Sequence, residues 1–173
     1  SFTTLAKDKW VLDKKISSIE FELPIFLANN VKGKFKEIEG LIIIDLKTKK
    51  NNKAIFSVNI ESIEMNYKKY KNLLLSNIFF NSQKFPKALI DTRKFSYKNE
   101  NILNLNVELT IQGITKFVPF TLEVIKLAEE IVQIKGELNF SRTAFRIGKG
   151  KWKNTSILKD KGNINVNLFL FKE

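Results

Sequence analysis

Side chains do chemistry as nucleophiles, acid–base pairs or phosphate cradles, and this sequence offers only weak instances of each. Ser156-Ile157-Leu158-Lys159 has the Ser-x-x-Lys spacing in which a lysine one helical turn away deprotonates the serine for acyl transfer. It lies in Lys/Asn-rich sequence ahead of a strand and lacks the companion motifs of such enzymes. Gly148-Lys149-Gly150-Lys151 resembles a phosphate-cradling turn, but the third glycine of a dinucleotide fingerprint is missing, and a hairpin loop accounts for it better. The carboxylate pairs Glu20/Glu22, Glu37/Glu39 and Glu61/Glu64 could share a proton only inside a cleft. On a strand, residues two apart share a face, and with apolar residues between them that face is the solvated one.

Composition removes the commoner chemistries. The 173 residues contain no Cys and no His, so a thiol nucleophile, a disulfide frame, an iron–sulfur cluster, a Ser-His-Asp triad and an imidazole metal site cannot be built. Catalysis would rest on carboxylate, Lys or Tyr, and no spacing demands it. The reading is a non-enzyme without cofactor or metal.

The net charge of +12 invites a polyanion partner, because lysines that release counterions from phosphate give sequence-independent affinity. Yet all but three of the 30 basic residues are Lys, whereas bidentate and stacking contacts favour Arg. Abundant Lys, Asn and Ile together describe a drifted composition that fills tolerant surface positions, and no nucleic-acid partner is expected.

Any functional group must be positioned by strands. Alternation of period two runs through Ile19-Glu20-Phe21-Glu22-Leu23, Phe56-Ser57-Val58-Asn59-Ile60 and Ile164-Asn165-Val166-Asn167-Leu168. Further β-branched and aromatic runs cover Lys34 to Leu46, Ala88 to Tyr97, Ile102 to Ile111, Phe117 to Leu127 and Ile131 to Phe140, separated by turn sequences such as Gln112-Gly113 and Glu129-Glu130. Short, regularly spaced strands predict an antiparallel sheet closed into a barrel or folded into a sandwich. One segment differs. Tyr67 to Asn77 predicts a short helix with Asn66 as its cap and Tyr70, Leu73, Leu74 and Asn77 on one face. No apolar run approaches the ~20 residues of a membrane-spanning helix, and the length predicts one domain over residues 1–173.

The conspicuous surplus is aromatic: 15 Phe, 2 Trp and 3 Tyr. A small barrel either packs such groups as core or arranges them around one apolar ligand, and composition leaves both readings open.

Particular segments carry a family resemblance. Trp10-Val11-Leu12-Asp13 with Ser17-Ser18-Ile19-Glu20-Phe21, Val31-Lys32-Gly33-Lys34-Phe35 with Gly40, Ile60-Glu61-Ser62-Ile63, Phe79-Phe80-Asn81 before Phe85-Pro86, Leu109-Thr110-Ile111-Gln112-Gly113-Ile114-Thr115-Lys116, and Arg142 with Phe145 and Ile147-Gly148 occur in the order found in the YceI-like family, also described as polyisoprenoid-binding proteins. The chain resembles that family along nearly its whole length. The resemblance implies an all-β, lipocalin-like, eight-stranded antiparallel barrel with the short helix inserted, holding an isoprenoid-like or fatty amphiphile. It also implies transport-type binding in the periplasm after removal of a signal peptide, which would account for a chain starting at Ser1. Departures from the family pattern fall at Ile16 and Ile25, where histidine is frequent, at Tyr70-Lys71, at Ile78, and at Ala144 and Arg146 around Phe145.

Expected ligand-lining residues are Phe21, Phe35, Ile60, Phe79, Phe80, Leu109, Phe120, Phe140 and Phe145, with Arg142, Lys149 and Lys151 as candidates for an anionic head group. The alternative is a ligand-free, packed barrel whose basic loops dock on anionic lipid or another polyanion, with peripheral membrane contact. Edge strands could also pair two copies into a homodimer.

Overall fold

In a computed structural model that describes residues 9–25, 27–45, 47, 49–65, 67–96 and 101–173, the alternating segments become β-strands whose apolar phase points inward. They are β1 (Lys9–Leu12), β2 (Ser18–Leu23), β3 (Val31–Phe35), β4 (Ile38–Ile43), β5 (Lys53–Asn59), β6 (Ile63–Glu64), β7 (Lys87–Asp91), β8 (Ile102–Ile111), β9 (Ile114–Ala128), β10 (Ile131–Ser141) and β11 (Lys161–Lys172). Each pairs antiparallel with its neighbours, and the β1–β11 pairing closes the ring.

Three strands of the ring are bent in two: β1 with β2, β3 with β4, and β5 with β6. With β7 to β11 they make a closed eight-stranded barrel of up-and-down connectivity. The bends have local causes. At the first, the Asp13 carboxylate accepts the N–H groups of Lys15 (2.9 Å) and Ile16 (3.3 Å), a turn that competes with the ladder. At the second and third, Ser62 joins the two corners: its hydroxyl donates to Asn59 O (2.6 Å) and accepts from Glu37 N–H (3.0 Å), while its carbonyl accepts from Lys36 N–H (3.2 Å). The single run expected from Lys34 to Leu46 is therefore two strands. The run expected to extend from Ala88 to Tyr97 is five residues long, followed by one isolated bridge from Asn52 to Phe95; Tyr97 lies outside the described residues.

Two hairpins supply the longest ladders. Gln112 and Gly113 both take positive φ (53° and 71°), the mirror-image turn whose twist matches its flanking strands, and ten residue pairs follow from Ile111↔Ile114. Glu129-Glu130 joins β9 to β10 as expected, and β10 with β11 runs for eleven pairs.

The helix α1 (Lys68–Leu75) is shorter than expected, and its inner face is Leu74 with Leu73 and Leu75 partly buried; Tyr70 stays exposed. Asn66 lies outside the described residues, and Tyr67 occupies the N-cap position without a side-chain capping bond. A helix of eight residues is marginal alone, so packing on the barrel end must hold it.

The ring is closed, yet β6 pairs on one side only, and β7 covers β8 only at Glu108 to Thr110, which leaves Ile102 to Val107 of β8 without a ladder partner on that side among the described residues.

Candidate ligand-binding interior

The interior is built by the inward phase of the strands and divides at Phe56. Above it lies a void of about 40 Å³, lined by Ile19 and Phe21 of β2, Phe35 of β3, Phe56 and Val58 of β5, Ile60, Phe80, Ala88 to Ile90 of β7, Leu109 and Ile111 of β8, Phe140 of β10 and Ile164 of β11. Below it, Ile42, Ile44, Ala54, Phe56, Thr92, Phe95, Leu122, Val124 and Ile134 surround a second void of about 20 Å³. One water takes about 30 Å³ in the liquid, so neither void is an open tube; the aromatics fill the barrel.

Of the nine apolar residues expected at the ligand, Phe21, Phe35, Ile60, Phe80, Leu109 and Phe140 meet at the larger void. The other three are buried elsewhere: Phe79 packs on Trp152 (ring centroids 5.6 Å apart), Phe145 stands edge-on to Phe140 at 6.0 Å, and Phe120 fills the interior over Gly136. Ile19, Phe56, Val58, Ala88, Leu89, Ile90, Ile111 and Ile164 were missed. The signal for most was present, since Ile19 shares its phase with Phe21, Ile111 with Leu109, and Phe56 and Val58 with Ile60.

Glycines make room for the rings. A Cβ on Gly33 would come within 2.5 Å of the Phe21 ring, one on Gly136 within 2.6 Å of Phe120, and one on Gly162 would overlap Phe140. Gly33 and Gly162 lie directly across their ladders from Phe21 and Phe140, so two walls of the larger void lean into space that any other residue would occupy.

A cap closes this end. After α1, Ser76 Oγ donates to Leu73 O (2.6 Å), and the N–H groups of Phe80, Asn81 and Ser82 turn back to the carbonyls of Leu74, Ser76 and Leu75. That coil drops Phe80 edge-on to Phe21, with ring centroids 5.6 Å apart. The Ile78 carbonyl accepts the N–H groups of Gly148 (3.0 Å) and Lys149 (2.9 Å), and the Gln112 side-chain amide donates to Phe145 O (3.1 Å) and Arg146 O (3.0 Å). Arg146 takes φ +57°, a left-handed position that glycine adopts without strain.

Arg142, a candidate for an anionic head group, is fully engaged with the protein's own backbone. It is 0% exposed; Nε donates to Lys159 O (2.9 Å), Nη1 to Ile147 O (2.9 Å) and Nη2 to Leu158 O (2.6 Å), so the guanidinium ties the two cap loops to β10. Burial lowers its pKa from the ordinary value, partly opposed by the charge of Asp160. For Asp160 the largest effect, burial, is upward. Hydrogen bonds from the Thr143 and Ser141 hydroxyls and the Thr143 N–H, with the Arg142 charge, outweigh it, and the carboxyl sits below its usual range. The one hint in the sequence was that Arg stood where Lys fills nearly every other basic position: three carbonyls need a fork of donors.

Lys149 and Lys151 are exposed on the outer side of the cap, Lys151 Nζ lying 5.4 Å from the Trp152 ring, and neither lines a void. Ser156 and Lys159 lie in the same loop region, where Lys159 N–H donates to Pro24 O (2.8 Å). Among the described residues no three acidic side chains gather where they could hold a metal ion.

Comparison with known proteins matches this geometry. A family model described as a YceI-like domain covers residues 10–170. Protein YceI of Escherichia coli is 30% identical over 131 residues, which is 75% of this chain and 65% of the relative, and the UPF0312 protein of Shewanella denitrificans is 27% identical over 122 residues, 69% of this chain and 63% of the relative. The chain thus matches less than two thirds of the length of these relatives. Among solved structures, BcnA of Burkholderia cenocepacia superposes with a TM-score of 0.84 at 23% identity, covering 91% of this chain and 98% of the other. A polyisoprenoid-binding domain from Saccharophagus degradans superposes at 0.74 with 10% identity, covering 95% and 98%. With the barrel, the cap and a family model that matches nearly every strand, the chain belongs to the YceI-like family.

Proposed function

We propose that this protein is a non-catalytic binding protein that takes an elongated apolar amphiphile, isoprenoid-like or fatty, into the barrel. The observation that carries this reading is the larger void: every side chain on it is aliphatic or aromatic. Such a wall stabilises a chain by desolvation alone, at about 0.8 kcal/mol per buried methylene, and gives a polar substrate nothing to hold. The description of the Saccharophagus neighbour as polyisoprenoid-binding supports the same ligand class. Admission of a long chain requires rings to move, since the void of about 40 Å³ is too small to hold one. Phe56 lines both voids, and in this proposal it is the ring that swings aside to join them. The proposal includes export to the periplasm, where a carrier for membrane-derived amphiphiles would work; cell fractionation tests that part.

The direct test is native mass spectrometry of the purified protein, followed by organic extraction and identification of the released molecules. One long-chain amphiphile per chain is the expected result. A protein that carries none, and takes up neither isoprenoid nor fatty probes, overturns the reading. Salt-sensitive sedimentation with anionic vesicles in that case would assign function to the basic surface instead.

A further inference from the structure

The apolar interior contains one polar loose end. Among the described residues, the only buried side-chain nitrogen or oxygen without a hydrogen-bond partner is Nε1 of Trp10. Trp10 is 2% exposed and lies in phase with buried Leu12, while Val11 between them faces outward, so its indole belongs to the barrel interior. Trp10 lines neither void itself, but its cross-strand neighbour Ile42 lines the smaller one, which shares Phe56 with the larger.

The polar side chains around that end are already engaged. Asn52 Oδ1 accepts from Asp45 N–H (2.7 Å) and Nδ2 donates to Phe95 O (3.2 Å). Thr92 Oγ1 accepts from Ala54 N–H (2.9 Å) and donates to Arg93 O (2.8 Å). A water at Trp10 would need two to four polar partners, and both of these side chains are already hydrogen-bonded to backbone. A buried donor left unpaired costs stability, and native interiors rarely carry one without a use for it.

We infer that the Trp10 indole N–H recognises a neutral hydrogen-bond-accepting oxygen on the ligand. This inference rests on the barrel-binding reading and narrows its ligand class: an apolar chain bearing a carbonyl, ester or ether oxygen at the part that lies beside β1. A plain hydrocarbon leaves the donor unpaired. A carboxylate or phosphate at that depth would bury a charge where no described Lys or Arg lines either void, and the Arg142 guanidinium is spent on three carbonyls. The donor therefore discriminates by type of oxygen, while the chain contributes affinity.

The experiment pairs two probes of equal carbon number, heptadecane and 2-heptadecanone, with ¹⁵N-labelled protein. The chain has two indoles, and half-buried Trp152 at the cap is the internal control. Both probes are expected to bind, the ketone about fivefold more tightly, as one net hydrogen bond provides. Only the ketone should move the Trp10 indole signal downfield and slow its exchange. Trp10→Phe should equalise the two affinities while both probes still bind. If that variant does not fold, replacing Trp10 by its benzothiophene analogue, sulfur for N–H, asks the same question at constant shape. Equal affinities in the unsubstituted protein overturn the inference, as does a preference that survives loss of the N–H or a Trp10 signal that answers both probes alike. In those cases the barrel reading stands because both probes bind; if neither binds, the barrel reading fails first.

Discussion

The guanidinium of Arg142 shows how one side chain can serve architecture in a place where charge suggests recognition. Three backbone carbonyls of the connection between β10 and β11 accept its donors, and the only strand-like pairing there among the described residues is the isolated bridge of Leu158 to Ile25. Arg142→Met keeps most of the apolar stem but orphans the three carbonyls. It should lower stability by about 3 kcal/mol or more, read as the urea midpoint, whereas a head-group ligand would lose affinity and keep its stability. Asp160 adds a pH dependence whose sign follows from its lowered folded pKa. A carboxylate held below its unfolded value of about 4 contributes stability that is fully present above that value and is lost as pH falls through the folded pKa. The stability advantage of the natural protein over Asp160→Asn should therefore be constant near neutrality and shrink below about pH 4, measured by chemical denaturation across the pH series. An advantage that persists unchanged into acid would show that the carboxylate charge is not what Ser141 and Thr143 satisfy.

At the scale of elements, the ligand wall is made by pairs of strands. Phe140 leans over Gly162 of the facing strand, and Phe21 over Gly33. Gly162→Ala forces the Phe140 ring toward the larger void, and overpacking of this kind costs about 1–3 kcal/mol. The expected outcome is a lower melting temperature together with weaker uptake of long-chain probes; unchanged uptake would place the bound chain away from Phe140. Much of this level was legible in the sequence. Alternation separated the apolar from the polar phase of β2, β5 and β11, and Gln112-Gly113 marked its turn, because period two and turn preference are local properties. The bends were not legible: Ser62 ends two strands at once by bonding Glu37, 25 positions away in the chain. Nor was the inner face of α1, since at eight residues it takes its orientation from the barrel end on which Leu74 rests.

For the whole molecule, closure of the ring is what turns amphipathic strands into an interior. The contents of that interior are nearly a core: two small voids separated by one ring. Phe56→Ala should join them. Stability should drop by about 3–5 kcal/mol, and long apolar probes should load faster because no ring has to move; native mass spectrometry after timed mixing reads the second effect. Slower or unchanged loading would mean that chains are admitted at the cap end without passing Phe56. The charge of +12 belongs to the outside of this object, with Lys149 and Lys151 beyond the cap and neither voids nor core reached by them.

Periodicity, turn preference and composition act over a few residues, and they were enough to read an antiparallel β architecture, its tight turns, the aromatic surplus and the chemistries that absent Cys and His forbid. The YceI-like resemblance was legible too, carried by short motifs in order. Other outcomes came with the folded chain: which aromatics face one another across the barrel, that Arg142 is buried on carbonyls from residues 147, 158 and 159, and that the Trp10 indole is the one buried side-chain donor left unpaired among the described residues. Those outcomes depend on which strands the ring brings opposite each other. A side chain's partners in a closed barrel are set by registers summed around eight strands, and no window of the chain contains that sum.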